Sequence, residues 1–219
     1  MMKFRLLLFV MMFTGVVTNA QLGVIFEDLT FKEALAKAKA ENKLVFMDCY
    51  TSWCGPCKKM LNTVFVQKEA GDFFNPRFVN IKYDMEKGEG LELAKQFNVK
   101  SFPTFFIIRP DGSIQHKVGG AGSLNSFLGW VERGLHEETS LDFLNKQYEK
   151  GTMNKKQLLD YYWVLLCAGE KEKSKVVLEV LKGKLDDHDR LQADYWFLTE
   201  GQPLGLILSL LTILNLREM

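Results

Sequence analysis

"YTSWCGPCKKM", residues 50–60, places two cysteines around a Gly-Pro pair, directly behind a tryptophan. Three chemistries use that spacing: a redox pair, half of a metal site and a structural disulfide. The flanks help to separate them. Upstream, "KLVFMDCY" (43–50) is a short apolar run of the kind shown by a strand buried on both faces. Downstream, a helix is expected to begin near Cys54 and to run past Met60, Val64 and Phe65. A structural zinc site wants four ligands, yet there is no second CxxC, and His116, His136 and His188 stand alone. A purely structural disulfide rarely needs a strand before it, a helix after it and a proline between its cysteines. A reactive thiol does fit the strand-to-helix position. There Cys54 would see unpaired N–H groups and the positive end of the helix dipole, which stabilise a thiolate and lower its pKa.

Working outward, Thr30 followed by Glu33 is a capping box that opens a helix with Phe31, Leu35 and Ala38 on one face and Asn42 near its end. "FVNIKYDM" (78–85) reads as a second buried strand and "LELAKQF" (91–97) as a short helix. "TFFIIRPDGSIQHKVGG" (104–120) reads as an antiparallel hairpin around Pro110, Asp111 and Gly112. A helix from about Ser123 to Leu135 presents Leu124, Phe127, Leu128, Val131 and Leu135 on one side. The order α, β, α, β, α, β, β, α predicts an α/β unit, a mixed sheet with helices on both faces.

"WCGPCK" (53–58) together with "SFPTFFI" (101–107) resembles the thioredoxin family, and the "PDG" turn, "KVGG" and the closing helix follow in family order. The resemblance spans roughly residues 24–136. It implies a thioredoxin-like fold in which Pro103 is cis and the backbone of Phe102 receives the substrate strand. It also implies thiol exchange. Cys54 attacks a substrate disulfide and Cys57 resolves the mixed disulfide, so the cofactor is none beyond a redox-active Cys54–Cys57 disulfide, with no metal. Asp48 matches the aspartate that assists proton removal from the second cysteine, and Lys82 occupies the position that pairs with it. Trp53, Gly55, Pro56 and Gly119 match structural or substrate-facing positions. The activity implied is that of a thiol:disulfide oxidoreductase, acting as a reductant on protein disulfide substrates and recharged by an upstream thiol donor. The alternative is a thioredoxin-like binding protein or folding helper in which redox turnover is secondary. A peroxidase of the same fold wants a lone peroxidatic cysteine in a different motif.

Two departures from the family pattern stand out. Cys49 replaces a common aromatic, and alternation points it to the opposite sheet face from Asp48, where it reads as a small buried thiol. "MEKGEG" (85–90) adds residues that read as a solvated loop. Cys167, in an apolar helical run, reads as core, and the histidines receive no role.

The opening "MMKFRLLLFVMMFTGVVTNA" (1–20) carries Lys3 and Arg5 ahead of an apolar run too short to span a bilayer. It reads as a signal peptide cleaved before Gln21, giving an exported, periplasmic or otherwise extracytoplasmic protein. The formal net charge of +1, with basic residues scattered among acidic ones, argues against a nucleic-acid partner. The expected organisation is 1–20 signal peptide, 21–137 thioredoxin-like domain and 138–219 helical C-terminal domain. In the last, "SLDFLNKQYEKG", "NKKQLLDYYWVLLCAG" and "KEKSKVVLEVLKGK" read as capped helices. "DYYW" at 160 and "DYWF" at 194 recur at the 34-residue period of tetratricopeptide-type hairpins, which would suit a protein partner. "PLGLILSLLTILNL" (203–216) is short for a membrane span and reads as a packed or partner-binding helix.

Overall fold

In the computed structural model of the chain, which describes residues 23–192, 194, 195 and 198, the apolar run ahead of the cysteines is β1 (Leu44–Tyr50). It pairs parallel with β2 (Phe78–Asp84) and antiparallel with β3 (Thr104–Ile108), and β3 pairs antiparallel with β4 (Ile114–Gly119). The sheet order among the described residues is β2-β1-β3-β4, so β1 has a strand on each side. Strand alternation then sorts its side chains between two cores. Val45, Met47 and Cys49 pack with Phe31, Ala34 and Ala38 of α1 (Phe31–Glu41) and Leu93 of α4 (Gly90–Gln96). Phe46 packs on the other face with Met60, Phe65, Phe74, Phe127 and Val131.

The signals for α1 hold in detail. Thr30 and Glu33 form a reciprocal capping box, and Asn42 ends the helix in the left-handed region with φ 53°. The "PDG" turn is closed by the Gly112 N–H donating to the Arg109 C=O at 2.9 Å, with Gly112 at φ 87°. Ser123 caps α5 (Leu124–Leu135), whose Phe127 and Val131 are buried.

The single long helix expected after Cys54 is not what forms. α2 covers only Gly55–Lys59 and passes into a π turn over Met60–Val64, and a separate helix, α3 (Lys68–Phe74), follows. Two local causes are visible. Thr63 Oγ1 donates to the Lys59 C=O at 2.8 Å, competing with the helical ladder, and the Phe65 N–H reaches back to the Met60 C=O at 3.0 Å. The Phe65 C=O is meanwhile taken by the Val24 N–H at 2.7 Å. The segment entering at Gly23 therefore crosses the helix end. It also lies so close to α3 that a Cβ on Gly71 would stand 2.4 Å from the Gly23 oxygen.

The helical part contributes α6 (Leu141–Glu149), α7 (Lys155–Cys167), α8 (Lys171–Lys184) and the short α9 (Asp187–Arg190). Ser140 caps α6, and Asn154 with Gln157 forms a capping box on α7. Leu158, Tyr161 and Leu165 of α7 bury against Val177 and Leu181 of α8, a helical hairpin with its own core. α6 and α7 also pack on β4. There the Leu141 N–H donates to buried His116 Nδ1 at 3.0 Å, and burial, helped by Arg133, pushes that imidazole down to about 4 and keeps it a neutral acceptor. Arg109 pairs with Glu137 and Asp142, both at 3.1 Å. No helix among the described residues is long and apolar enough to cross a membrane. The signal stretch 1–20, the second half of the "DYWF" copy (196–197) and the apolar stretch 203–216 lie outside the described residues.

The Phe46 ring has six phenylalanine rings with centroids 4.6–6.5 Å away. Replacing Phe46 with alanine opens a cavity between sheet and helices and is expected to cost about 3–5 kcal/mol, read as a lowered urea midpoint at unchanged m.

Candidate active site

β1 ends at Tyr50, and the chain turns there with the Cys54 N–H donating to the Thr51 C=O at 3.1 Å. Cys54 is the N-cap of α2, in extended conformation, and Pro56 lies in the first turn, where its missing N–H leaves no helical bond unmade. The Cys57 N–H donates to Cys54 Sγ at 3.1 Å. The two cysteines form a disulfide with a Cα–Cα distance of 5.3 Å. A thiolate on Cys54 would keep that N–H as a charge-assisted donor, which lowers the pKa of the first sulfur. Both sulfurs are covered in the disulfide: Cys54 is 3% and Cys57 2% exposed. What distinguishes them is the hydrogen bond, which only Cys54 Sγ accepts from the helix start. Nothing would lie within 4 Å of a Cβ on Gly55, so the surface between the two cysteines is open there.

Asp48 lies on the Phe46 side of β1, beneath the α2 and π-turn cover, and is 1% exposed. Its Oδ1 accepts no hydrogen bond from any described residue. Burial pushes its carboxyl up to about 7, only partly offset by the charge of Lys82. A carboxyl poised there can take or return a proton near neutral pH. Lys82 is the register partner of Asp48 on β2, but the two form no ion pair. The Lys82 side chain is exposed and its ammonium sits 5.4 Å above the centroid of the Phe26 ring.

The Phe102–Pro103 bond is cis, Pro103 is buried, and its C=O accepts from the Gly120 N–H at 2.9 Å. Neither the Phe102 N–H nor its C=O has a partner among the described residues, which leaves both free for a substrate strand. Trp53 is 65% exposed and meets Phe102 edge-to-face at 6.0 Å. Its indole N–H donates to both carboxylate oxygens of Glu86, at 3.1 and 3.0 Å. Glu86 belongs to the segment read as a solvated loop, and residues 86–89 are indeed an exposed turn, but three of its residues make specific contacts. Glu86 braces Trp53, Glu89 accepts from the Phe31 N–H at the start of α1, and a Cβ on Gly90 would strike the Asp84 oxygen at 2.1 Å. No local signal marks these roles, because they follow from the β1–β2 register.

Gly119, expected at a structural or substrate-facing position, is closed in its Cβ direction. A Cβ there would lie 3.4 Å from the carbonyl carbon and oxygen of Ala168, so that direction is occupied by the helical part. Cys49 is fully buried on the α1 side, where burial and the neighbouring Asp48 push its thiol well up. Burial pushes Cys167 up to about 11. Both stay protonated and neither is activated.

An exchangeable disulfide at a helix start, a buried carboxyl on the strand that leads to it and a cis-proline directly after the Phe102 that meets Trp53 define a thiol:disulfide oxidoreductase. The family described as Thioredoxin matches residues 23–133, and the chain belongs to it. It is 36% identical over 86 residues to Thioredoxin-1 of Drosophila melanogaster, covering 36% of this chain and 76% of that one. It is 32% identical over 98 residues to the thiol:disulfide interchange protein DsbD of Pseudomonas fluorescens, covering 43% of this chain and 17% of that protein. Among solved structures, a putative disulphide-isomerase from Bacteroides thetaiotaomicron is 44% identical with a TM-score of 0.50, covering 53% of this chain and 97% of that one.

The Asp48 carboxyl ties stability to pH. The folded disulfide form holds this proton up to about pH 7, whereas the unfolded chain releases it near 3.8, so stability falls as pH rises between the two values. Asp48→Asn removes that loss. The variant is expected to be more stable than the wild type by up to about 4 kcal/mol at pH 8 in urea unfolding, and to converge on it below pH 4.

Proposed function

We propose that this chain reduces protein disulfides outside the cytoplasm, with Cys54 as nucleophile and Cys57 as resolving thiol. The observation that carries this is the Cys57 N–H aimed at Cys54 Sγ from 3.1 Å at the start of α2. In the reduced protein the Cys54 thiolate attacks one sulfur of the substrate disulfide, and the other sulfur leaves as a thiolate. Cys57, giving up its proton towards Asp48, then attacks Cys54 Sγ and expels the second substrate thiolate. Two electrons pass to the substrate, two protons complete its thiols, and the protein is left as the Cys54–Cys57 disulfide described above. A dithiol donor restores it.

Pro56 and Gly55 set the helix start, while Trp53, Phe102 and Pro103 form the surface on which the substrate lies. Lys82 acts on Asp48 through its field, not through a contact. The charged and apolar order of residues 1–20 and the likeness to an interchange protein support an exported setting, where disulfides persist. The helical part gives the molecule a second surface for a partner.

Insulin reduction with a dithiol donor tests the activity, and Cys54→Ser is expected to abolish it. Retained partner affinity with no turnover in the wild type would favour the binding-protein reading instead. Limiting alkylation of the reduced protein at neutral pH should label Cys54 first, and labelling of Cys57 first would reverse the assignment. In rapid-quench kinetics, Asp48→Ala is expected to slow resolution of the mixed disulfide tenfold or more, within the roughly 10²–10⁴ reach of a general base, while formation changes less. N-terminal sequencing of the exported protein should begin at Gln21.

A further inference from the structure

β3 begins at Thr104, directly after the cis-proline, and at that level it lies between Cys49 of β1 and Gly119 of β4. On the β1 side the chain continues to Trp53 and the disulfide. On the β4 side it continues to Gly120, whose N–H is held by the Pro103 C=O. The ground beyond Gly119 is taken by the turn between α7 and α8. A Cβ on Gly119 would lie 3.4 Å from the Ala168 carbonyl and from the Gly169 nitrogen.

That turn is held firmly. Gly169 takes φ 74°, the left-handed value that ends a helix, and the Glu170 N–H donates to the Leu165 C=O at 2.8 Å. Lys117, two residues before Gly119 on the same side of β4, meets Glu170 Oε1 at 2.6 Å. The Glu170 side chain remains 42% exposed and that of Lys117 only 18%. Lys117 engages Oε1 alone, which leaves Oε2 without a hydrogen bond from the described residues on a side chain that is partly exposed. Glu172, the next acid on α8, is engaged by Lys175 at 2.9 Å.

We propose that the α7–α8 turn, Ala168 to Glu170, is the outer wall of the groove that receives the substrate, and that Glu170 favours disulfides flanked by basic residues. The proposal rests on the reductase reading above. A chain laid along Phe102 and Pro103 has Trp53 on one side. On the other it passes Gly119 and Gly120 and reaches the wall, where the acid with a free oxygen is Glu170. A partly exposed charge at this distance shifts selectivity rather than chemistry, by about three- to fivefold at low salt, and the effect is screened by added salt.

The test uses the full chain and two peptide disulfides that differ only in carrying lysines or glutamates beside the cysteine. Dithiothreitol supplies the two electrons and two protons per turnover and becomes a cyclic disulfide. Rates are corrected with Cys54→Ser and divided by the rate on oxidised glutathione. The wild type should prefer the lysine peptide about three- to fivefold, in KM more than in kcat. Glu170→Gln should remove the preference. The exchanged pair, Lys117→Glu with Glu170→Lys, keeps an ion pair and should invert it. An equal ratio for wild type, Glu170→Gln and the exchanged pair would overturn the wall. Should the exchanged pair not fold, an unchanged ratio in Glu170→Gln decides the matter alone. Turnover of neither peptide by the wild type would overturn the reductase reading and the wall together.

Discussion

β1 is constrained to be dry on both faces, and the reactive end of the molecule depends on that. Its neighbours β2 and β3 satisfy its backbone, α1 covers one face, and α2, the π turn and α5 cover the other. A strand so enclosed delivers Cys54 to a fixed point just beyond the C-terminal end of β1, in the middle of the sheet. It also carries Asp48 into a place where no ordinary surface carboxylate would sit. The same burial that stabilises the sheet through Phe46 disfavours the ionised form of Asp48. The proton chemistry of the site is thus a by-product of the packing that holds the fold, and the two cannot be adjusted separately.

Asp48 therefore costs stability whenever it is ionised in the folded disulfide form. Lys82 relieves this only in part, because its ammonium rests over Phe26 and not on the carboxylate. A direct buried ion pair would fix the charge on Asp48 and deprive it of a pKa near neutral. The indirect arrangement leaves the carboxyl able to change state near neutral pH.

The features legible in the sequence were those set by local chemistry. The α1 capping box, the Asn42 stop, the Pro110–Gly112 turn and the Ser123, Ser140 and Asn154 caps are each decided within a few residues. The cysteine pair and the apolar run before it were equally plain. The features that escaped are set by segments far apart in the chain. The break after Lys59 follows Thr63 locally, but the Phe65 carbonyl that closes it is claimed by Val24. Glu86 reaches Trp53 only because β1 and β2 end at the same level, with Tyr50 beside Asp84. The occupied side of Gly119 depends on a turn some fifty residues later.

That turn bears on why the helical part follows a unit whose sheet and redox motif are already in place. β4 is the outermost strand on its side of the sheet, and an exposed edge invites pairing with other chains. α6 and α7 pack against it, and the polar contacts around it are specific: the Leu141 N–H on His116, Asp142 on Arg109 just after β3, and Glu170, at the start of α8, on Lys117. Partly exposed ion pairs of this kind add little stability one by one. The neutral His116 acceptor is buried and matters more, since losing the Leu141 N–H would leave a polar nitrogen unsatisfied, at about 1–3 kcal/mol. The helices are consequently held in one register on β4, and the turn between α7 and α8 comes to lie beside Gly119 by that register. A segment that covers an edge strand is thereby placed beside Gly119, on the strand whose next residue, Gly120, is hydrogen-bonded to the cis-proline.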